Sequence, residues 1–561
     1  MKFAVCQINS LIGDLEGNAA RIIEHYKKGV ADNADLVVGP ELALPGYPPL
    51  DLVEKQEFRD KVHEFSLRIA EQTDKTGLLF GSITEDFDAV GTDIYNSAIL
   101  CYDGKIQFVQ NKTLIPNYDV FDEVRYFESA KNTYVHEFKG EKLGISICED
   151  IWNDVDYWKQ RRYVSDPVNS LVQQGATILL NLSASPYAYG KREQRREMLS
   201  VLTAADKLPL IYVCCAGVQT ELIFDGASMC FDSTGKLCRL GKAYSEDYFI
   251  FDTNEFYQPV HSVEGIFEKE VLEALTFGVK EYCNKTGYKK VLVGLSGGID
   301  SALVTYIAVQ ALGKENVHAA LMPSEFSSKG SIDDSKKLIE NLGISFSKIS
   351  IQPVFEKIKE VLSPVFNDMP EDITEENMQA RIRGLYLMAL SNKFGNLLLT
   401  TGNKSEIATG YSTLYGDMCG ALGVIADVYK TDIYRIVNYI NMPKEIIPYE
   451  IVNKAPSAEL RHNQTDQDSL PPYSLLDQIL KRYLEENKDL NKIVSDLGNH
   501  ALVEKVLKLV DLNEFKRKQA APALRVSTKA FGYGRRFPIV QGWRKTSHKE
   551  QVESTLKYFE N

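Results

Sequence analysis

The 561-residue sequence contains no apolar run that approaches the length of a membrane-spanning helix. Its nine cysteines are scattered, odd in number and without the spacing of a metal site, a pattern that suits a reducing compartment. A net charge of −13 argues against a general nucleic-acid or membrane surface. No signal peptide precedes the first strand-like run. We therefore expect a cytoplasmic protein that binds neither nucleic acid nor membrane.

The length and composition predict a globular protein of two or three domains, since one hydrophobic core cannot organise this many residues. The apolar fraction of 44% and the charged fraction of 25% are ordinary for such proteins. Short apolar strands alternate with amphipathic helices up to about residue 255, which predicts a layered α/β domain. We place the domains at 1–253 and 266–561, with a linker at 254–265. Helices in the first domain are predicted near 16–31, 54–74, 159–174 and 191–206.

A strand, a tight turn and a helix follow one another near the middle of the chain. The apolar run 291–294 is followed by Ser-Gly-Gly and then by helical periodicity that closes at Gly313. Such a turn directs backbone N–H groups at the positive end of a helix dipole, which suits a phosphate. Asp300 is placed where a carboxylate could hold the cation of a nucleotide triphosphate. The turn is neither a Walker loop nor a dinucleotide fingerprint.

Three strand ends in the first half carry groups suited to amide hydrolysis. Glu41, Lys112 and Cys148 each end or follow an apolar run. Singly, each has an ordinary interpretation, as a loop carboxylate, a surface lysine and a buried structural thiol. Together they provide what a cysteine nucleophile needs. An ammonium group would lower the thiol pKa and stabilise the oxyanion, and a carboxylate would take and return protons.

In this order the three residues resemble the Glu–Lys–Cys triad of the nitrilase superfamily, and the resemblance covers the whole first half. It implies a nitrilase-like α-β-β-α sandwich in which Glu41 is the base, Lys112 the electrostatic partner and Cys148 the nucleophile. Glu123 matches a second glutamate of that superfamily, with a supporting role.

Two further stretches resemble the members of this superfamily that hydrolyse glutamine. They are Pro-Asn-Tyr-Asp-Val-Phe-Asp-Glu, at 116–123, and Asn-Leu-Ser-Ala-Ser-Pro-Tyr, at 181–187. The resemblance implies that Tyr118, Ser185 and Lys191 contact L-glutamine. Lys191 begins a segment rich in Arg and Glu, so a solvated helix face is the alternative there.

The Ser-Gly-Gly-Ile-Asp-Ser loop resembles the pyrophosphate loop of the N-type ATP pyrophosphatases. Enzymes of that class cleave ATP between the α and β phosphates and adenylate an oxygen of the acceptor. The strands and helices that follow the loop are in doubly wound order, which predicts a parallel sheet with ligands at its carboxyl edge. Basic and aromatic tail segments at 514–520 and 527–538 would supply local positive charge, and a nucleic-acid patch is the alternative interpretation.

The motifs of the second half, taken in order, resemble the glutamine-dependent NAD synthetase family. They include Thr-Thr-Gly-Asn-Lys-Ser-Glu at 400–406 and Gly-Tyr-Ser-Thr-Leu-Tyr-Gly-Asp at 410–417. By position, the resemblance assigns ATP binding to Gly294, Leu295, Ser296, Gly297, Gly298, Ile299, Asp300, Ser301, Thr401, Lys430 and Ser457. It assigns deamido-NAD binding to Asn377, Glu406, Asp417 and Lys529, and Mg²⁺ to Asp300 and Glu406. For Asn377, an exposed charged helix face is the alternative.

The resemblance implies that ammonia from glutamine amidates deamido-NAD through an acyl-adenylate, with ATP giving AMP and pyrophosphate. It also implies a homo-oligomer. One rival function is a different amidotransferase on the same pyrophosphatase fold. Another is an interaction scaffold with an inactive glutaminase domain, although the presence of all three triad residues argues against it.

Overall fold

The computed structural model of the chain describes residues 1–86, 91–260, 265–367 and 369–543. The chain forms two compact units, Met1–Lys285 and Thr286–Asn561. The first unit therefore extends past the predicted linker 254–265, part of which, 261–264, lies outside the described residues. The end of the predicted second domain, 544–561, lies outside them as well. The predicted domain bounds stay predictions.

The first unit contains β-strands from its first residues onward. The strands are β1 (Lys2–Gln7), β2 (Leu36–Val38), β3 (Gly77–Glu85), β4 (Ile94–Tyr102), β5 (Lys105–Asn111), β6 (Val135–Phe138), β7 (Glu141–Ile147), β8 (Ile178–Ser183), β9 (Leu210–Cys214), β10 (Ala216–Gln219), β11 (Leu222–Asp225), β12 (Met229–Phe231), β13 (Leu237–Leu240) and β14 (Asp247–Asp252). The helices are α1 (Leu15–Ala31), α2 (Gln56–Ala70), α3 (Pro167–Gln173), α4 (Lys191–Asp206) and α5 (Phe267–Thr286).

Two six-stranded sheets form the centre of this unit, in the orders β14-β1-β2-β3-β4-β5 and β13-β12-β9-β8-β7-β6. The apolar faces of β1 to β4 and of β7 to β9 share one buried cluster, so the sheets pack face to face. A second cluster lies beneath α1 and α2 on the outer side of the first sheet, and a third beneath α3 and α4 on that of the second. The predicted α-β-β-α sandwich is therefore confirmed.

The prediction of a helix over 159–174 is wrong for its first half, because α3 begins only at Pro167. The Asn153 side chain bonds the backbone carbonyls of Tyr163 and Ser165 and holds the preceding stretch as a loop. Asp166 then accepts from the N–H of Asn169 as the N-cap, and proline is well suited to the first helical position.

The second unit is a parallel sheet with helices. Its strands are β15 (Val291–Gly294), β16 (Val317–Leu321), β17 (Ser345–Lys348), β18 (Leu397–Thr400) and β19 (Leu422–Gly423). Its helices are α6 (Ile299–Leu312), α7 (Lys329–Leu342), α8 (Gln352–Phe366), α9 (Ile373–Phe394), α10 (Lys404–Thr409), α11 (Lys430–Asn441), α12 (Tyr449–Asn453), α13 (Tyr473–Leu484), α14 (Leu490–Leu497), α15 (His500–Leu512) and α16 (Glu514–Arg517).

The strand order β17-β16-β15-β18-β19, parallel throughout, confirms the predicted doubly wound domain. The order reverses beside β15, where folds of this kind bind ligands beyond the carboxyl ends of the strands. In the described ranges, no helix combines the length and the apolar character needed to cross a membrane. All nine cysteines have free thiols.

Candidate active sites

The turns after β2, β5 and β7 hold the predicted triad. The Lys112 ammonium donates to Glu41 Oε1 at 2.8 Å and to both Glu123 oxygens, at 2.9 and 2.8 Å. The side chains of Lys112 and Glu41 are fully buried. Cys148 follows β7 and is close enough to both for their charges to act on its thiol. The structure thus brings together three residues that are far apart in the sequence.

Lys112 is charged despite its burial. Burial alone would lower the pKa of a lysine, but the carboxylates of Glu123 and Glu41 outweigh it and raise the pKa well above the ordinary value. Burial, together with the charge of Glu41, raises the pKa of Glu123, and Lys112 opposes that rise. Tyr47 donates its hydroxyl to Glu123 Oε1 at 2.8 Å. The ammonium is therefore shared by two carboxylates before any substrate arrives.

Cys148 is a buried thiol held in an uncommon backbone conformation. Its φ is 42°, in the left-handed region that residues other than glycine rarely occupy and that recurs at functional sites. Burial first, and then Glu41, raise the pKa of the thiol well above its ordinary value, and Lys112 only partly offsets them. Lys112 lowers the pKa of the thiol, as expected, but burial and Glu41 outweigh its effect. The resting form is the thiol, which needs a base during attack.

Two buried residues that the sequence analysis missed connect the turns of the triad. Asn96 on β4 donates its side-chain N–H to Glu41 Oε1 at 2.7 Å. Asp150 accepts from the N–H groups of Leu114 and Ile147, at 2.7 and 3.0 Å, and so connects the turn after Lys112 to the strand end before the nucleophile. The sequence signals for these residues are weak. Asn96 and Ser97 interrupt an otherwise apolar strand, and Asp150 lies two residues after the cysteine.

Two of the three predicted glutamine contacts, Tyr118 and Lys191, lie among aromatic rings. The Tyr118 and Phe121 rings are 5.5 Å apart, and the Lys191 ammonium is 6.0 Å from the Phe121 ring and 5.4 Å from that of Trp152. Tyr118 and Lys191 therefore share a neighbour, although neither contact shows glutamine binding. Their assignment stays a prediction.

Charged groups of both signs surround this aromatic cluster. Tyr118 donates to both carboxylate oxygens of Glu149, at 2.8 and 2.9 Å. The Arg162 guanidinium lies 3.7 Å from the centroid of the Tyr118 ring. Ser185 is buried and follows Ala184, whose backbone N–H donates to Glu41 Oε2 at 2.8 Å. The chemistry of this site, with a carboxylate and two cations, suits a zwitterionic amino acid.

The predicted phosphate loop connects β15 to α6. Ser296 Oγ accepts from the Gly298 N–H at 3.3 Å and lies 3.1 Å from Ser301 Oγ, which fixes the turn. Gly297 has a φ of +82°, and a Cβ there would lie 2.5 Å from the Ser331 carbonyl oxygen. Only glycine fits this position, and the N-terminus of α6 points its N–H groups into the space beyond.

A cavity of about 310 Å³ opens at this edge of the sheet. The predicted residues that line it are Gly294, Leu295, Ser296, Gly297, Gly298, Ile299, Asp300, Ser301, Thr401, Glu406, Asp417, Lys430 and Ser457. Lys430, the first residue of α11, donates to Asp300 and lies 3.5 Å from Glu406. Both carboxylates outweigh burial and raise the pKa of Lys430. Burial and the charge of Asp300 raise the pKa of Glu406 to about 8.

The donor set fits the predicted Mg²⁺. Asp300 and Glu406 both pair with the Lys430 ammonium, so the two carboxylates are close enough to act on one cation. Among the residues that the structure describes, no three or more His, Cys, Asp or Glu side chains form a complete metal cage. Mg²⁺ is commonly held by one or two carboxylates together with substrate phosphates.

Of the four residues predicted to bind deamido-NAD, Glu406 and Asp417 line the cavity described above. Asn377 and Asp417 meet at Thr413, which donates its hydroxyl to the Asn377 amide oxygen and its N–H to Asp417, each at 2.8 Å. Lys529 does not line the cavity described above. Its carbonyl accepts from the buried Lys404 ammonium at 2.9 Å.

Several cations of the basic tail serve the fold. Arg517 donates to the carbonyls of Ile407 and Ala408 and pairs with Glu514. Lys516 donates to the carbonyls of Gly410 and Ser412. They satisfy orphan carbonyls at the end of α10. The expectation that the basic tail supplies charge to a substrate stays a prediction.

The fold and the two sites define a class of protein. In proteins of this class, a carbon–nitrogen hydrolase domain with a Glu–Lys–Cys triad is joined to a nucleotide-binding domain with a phosphate loop. Two family models match accordingly, carbon-nitrogen hydrolase over residues 2–255 and NAD synthase over residues 271–520.

Relatives that match almost the whole chain identify the family within this class. The chain is 43% identical over 549 residues to the glutamine-dependent NAD(+) synthetase of Synechocystis sp., covering 96% of this chain and 98% of that one. It is 43% identical over 586 residues to that of Thermotoga maritima, with coverages of 97% and 99%. The solved structure of the Acinetobacter baumannii enzyme with ADP has a TM-score of 0.75 at 37% identity, with coverages of 97% and 99%. The chain belongs to the glutamine-dependent NAD(+) synthetase family.

Proposed function

We propose that this chain amidates deamido-NAD to NAD, with ammonia released from L-glutamine and with ATP as co-substrate. The observation that carries the proposal is the presence of both sites in one chain of this family. One unit holds Lys112 between Glu41 and Glu123 beside a buried thiol. The other holds a phosphate loop at a cavity with Asp300, Glu406 and Lys430.

The first half-reaction releases ammonia. Cys148 Sγ attacks the side-chain amide carbon of glutamine while its proton passes to Glu41. Lys112 stabilises the oxyanion of the tetrahedral intermediate. The proton then goes to the departing nitrogen, the C–N bond breaks, and a thioester remains. Water activated by Glu41 hydrolyses the thioester to glutamate. Tyr118, Ser185 and Lys191 hold the amino-acid end of the substrate.

The second half-reaction activates a carboxylate, because a carboxylate is a poor electrophile. The nicotinate oxygen of deamido-NAD attacks the α-phosphorus of ATP, and the bond to pyrophosphate breaks. Ammonia attacks the resulting acyl-adenylate, which gives the amide of NAD and AMP. Residues 294–301, Thr401, Lys430 and Ser457 bind ATP in this proposal.

The remaining assignments concern the acceptor and the metal. Asn377, Glu406, Asp417 and Lys529 bind deamido-NAD. Asp300 and Glu406 would hold Mg²⁺, which neutralises phosphate charge when bound. A homo-oligomer and a cytoplasmic location remain predictions from the family resemblance.

A product assay on the wild type and Cys148→Ala tests both halves at once. Each protein receives deamido-NAD, Mg·ATP and either glutamine or ammonium. We expect NAD and AMP from both donors with the wild type, and from ammonium alone with Cys148→Ala. Cys101→Ala, which removes another fully buried thiol of the same unit, should behave as the wild type.

Two outcomes would contradict the proposal. If Cys148→Ala still uses glutamine, the nucleophile is assigned incorrectly. If the wild type releases glutamate but forms NAD from neither donor, the acceptor is a different carboxylate or nucleotide, as in other amidotransferases that share the pyrophosphatase fold.

A further inference from the structure

Asn96 touches the predicted base of the glutaminase site from the interior of the first sheet. It lies on β4 with a fully buried side chain, and its Nδ2 donates to Glu41 Oε1 at 2.7 Å. Its backbone carbonyl accepts from the Lys112 N–H at 2.8 Å. One residue therefore holds both the base and the strand end that carries the ammonium. We propose that Asn96 is a positioning residue that sets the orientation and the basicity of Glu41, an inference that rests on the proposed function.

Glu41 has little freedom to turn, because both of its carboxylate oxygens are occupied. Oε1 accepts from Asn96 and from the Lys112 ammonium, at 2.7 and 2.8 Å. Oε2 accepts from the Ala184 N–H at 2.8 Å. In general, each hydrogen bond donated to a carboxylate favours its ionised form. A base held in this way is oriented, and its strength depends on each donor.

Asn96 differs from the other two donors in having an acceptor atom of its own. An ammonium group and a backbone N–H can only donate, whereas a side-chain amide can do either. When Glu41 takes the proton of Cys148, one oxygen becomes an O–H. Rotation of the Asn96 amide about its terminal bond would then present Oδ1 to that O–H. The pair can keep a hydrogen bond in both protonation states of the base.

The surroundings of the Asn96 side chain also favour a functional role for its amide group. Asn96 Oδ1 is buried and has no hydrogen-bond partner within the part of the chain that the structure describes. An unpaired polar atom in a core opposes folding, so an apolar residue would suit the strand better if stability alone mattered. The buried acceptor is available to the one neighbour whose protonation changes during the reaction.

The inference predicts separate effects on rate, on pH dependence and on substrate affinity. Loss of the Asn96 donor makes the Glu41 carboxylate more basic, so the acid limb of the glutaminase pH profile should move up by roughly one pH unit. Loss of orientation should lower kcat at least about tenfold. KM for glutamine should stay within about twofold, because none of the described polar contacts of Asn96 involves the aromatic cluster around Tyr118.

The test measures glutamate release by the full-length protein between about pH 5 and pH 9. The variants are Asn96→Ala, which removes the amide, and Asn96→Asp, which keeps its shape but replaces the donor. Two carboxyl groups in contact share one proton, so Asn96→Asp should move the acid limb further than Asn96→Ala. Ser82→Ala, which truncates a buried polar residue of neighbouring β3, is the matched control and should keep the wild-type profile.

Ammonium-dependent NAD synthesis by the same samples reports whether the nucleotide-binding unit is intact, and the yield of folded protein reports on the first unit. If Asn96→Ala does not accumulate, Asn96→Asp carries the test. An unchanged acid limb with a wild-type kcat, or an increase in KM alone, would overturn the role of Asn96 while leaving the proposed function intact. A wild type that makes NAD from ammonium but releases no glutamate would overturn both the glutaminase and this inference.

Discussion

Replacement of Lys112 by methionine tests the electrostatics of the glutaminase site most directly. The change removes the ammonium group of a fully buried side chain. It leaves the carboxyl groups of Glu41 and Glu123 in a buried site without the cation that pairs with both. Removal of one partner from a buried ion pair is destabilising by about 3–5 kcal/mol, since the remaining charge has no compensation. We expect a loss of that size in the free energy of unfolding, together with loss of glutamine hydrolysis.

The pH dependence of this loss has a definite sign. The pKa of Glu123 already lies above its ordinary value of 4.5 because of burial and of Glu41, and Lys112 is the group that opposes the rise. Without Lys112 the folded-state pKa goes higher still. A carboxyl group whose pKa is raised on folding binds more protons when folded, so its contribution to stability falls as pH rises from 4.5 through the folded-state pKa. Lys112→Met should therefore lose more stability at neutral pH than in mild acid.

Calorimetric unfolding of the full-length protein at two pH values measures both effects. The double variant Lys112→Met/Glu123→Gln should regain part of the stability, because the second change removes one of the two facing charges, but should stay inactive toward glutamine. Lys61→Met, at a half-exposed lysine on α2, should change stability by no more than about 0.5 kcal/mol. A loss under about 1 kcal/mol for Lys112→Met, equal at both pH values, would refute the reasoning.

Two further predictions concern the nucleotide site. Gly297→Ala should weaken the use of ATP in ammonium-dependent synthesis at least about tenfold, because its Cβ would meet the Ser331 carbonyl. The control Gly395→Ala, at a φ of +66° with open space around it, should only lower stability by about 1–2 kcal/mol. Equal effects of the two changes on ATP use would contradict this prediction. Since the pKa of Glu406 is raised to about 8, Mg·ATP should bind with release of protons at neutral pH and bind more tightly as pH rises. Calorimetric titration in buffers of different ionisation enthalpy measures this release, and an equal release by Glu406→Gln would show that another group is responsible.

The features that could be predicted from the sequence were local or depended on strand order. The phosphate loop is one continuous segment, so its strand, turn and helix are visible in 291–312. The triad could be predicted because Glu41, Lys112 and Cys148, each at the end of a strand-like run, together resemble the triad of the nitrilase superfamily.

The remaining contacts have no signature in the sequence. Asn96 is 55 residues from Glu41, and the Asp150 that bonds Leu114 is 36 residues away from it. No periodicity connects such pairs, because the connection exists only once the sheets are paired in register. The hydrogen-bond partners of a cation cannot be predicted from the sequence either. Arg517 lies in a basic run, and only the fold shows that it bonds carbonyls at the end of α10.

The resting charge of the glutaminase site determines how its thiol is activated. Lys112 carries one positive charge between the two carboxyl groups of Glu41 and Glu123. A preformed thiolate at Cys148 would add a negative charge to a buried site where burial and Glu41 already raise the thiol pKa. Transfer of the thiol proton to Glu41 during attack leaves the net charge of the site unchanged. The arrangement therefore favours a nucleophile that forms as the substrate reacts, with Glu41 as the group that takes the thiol proton.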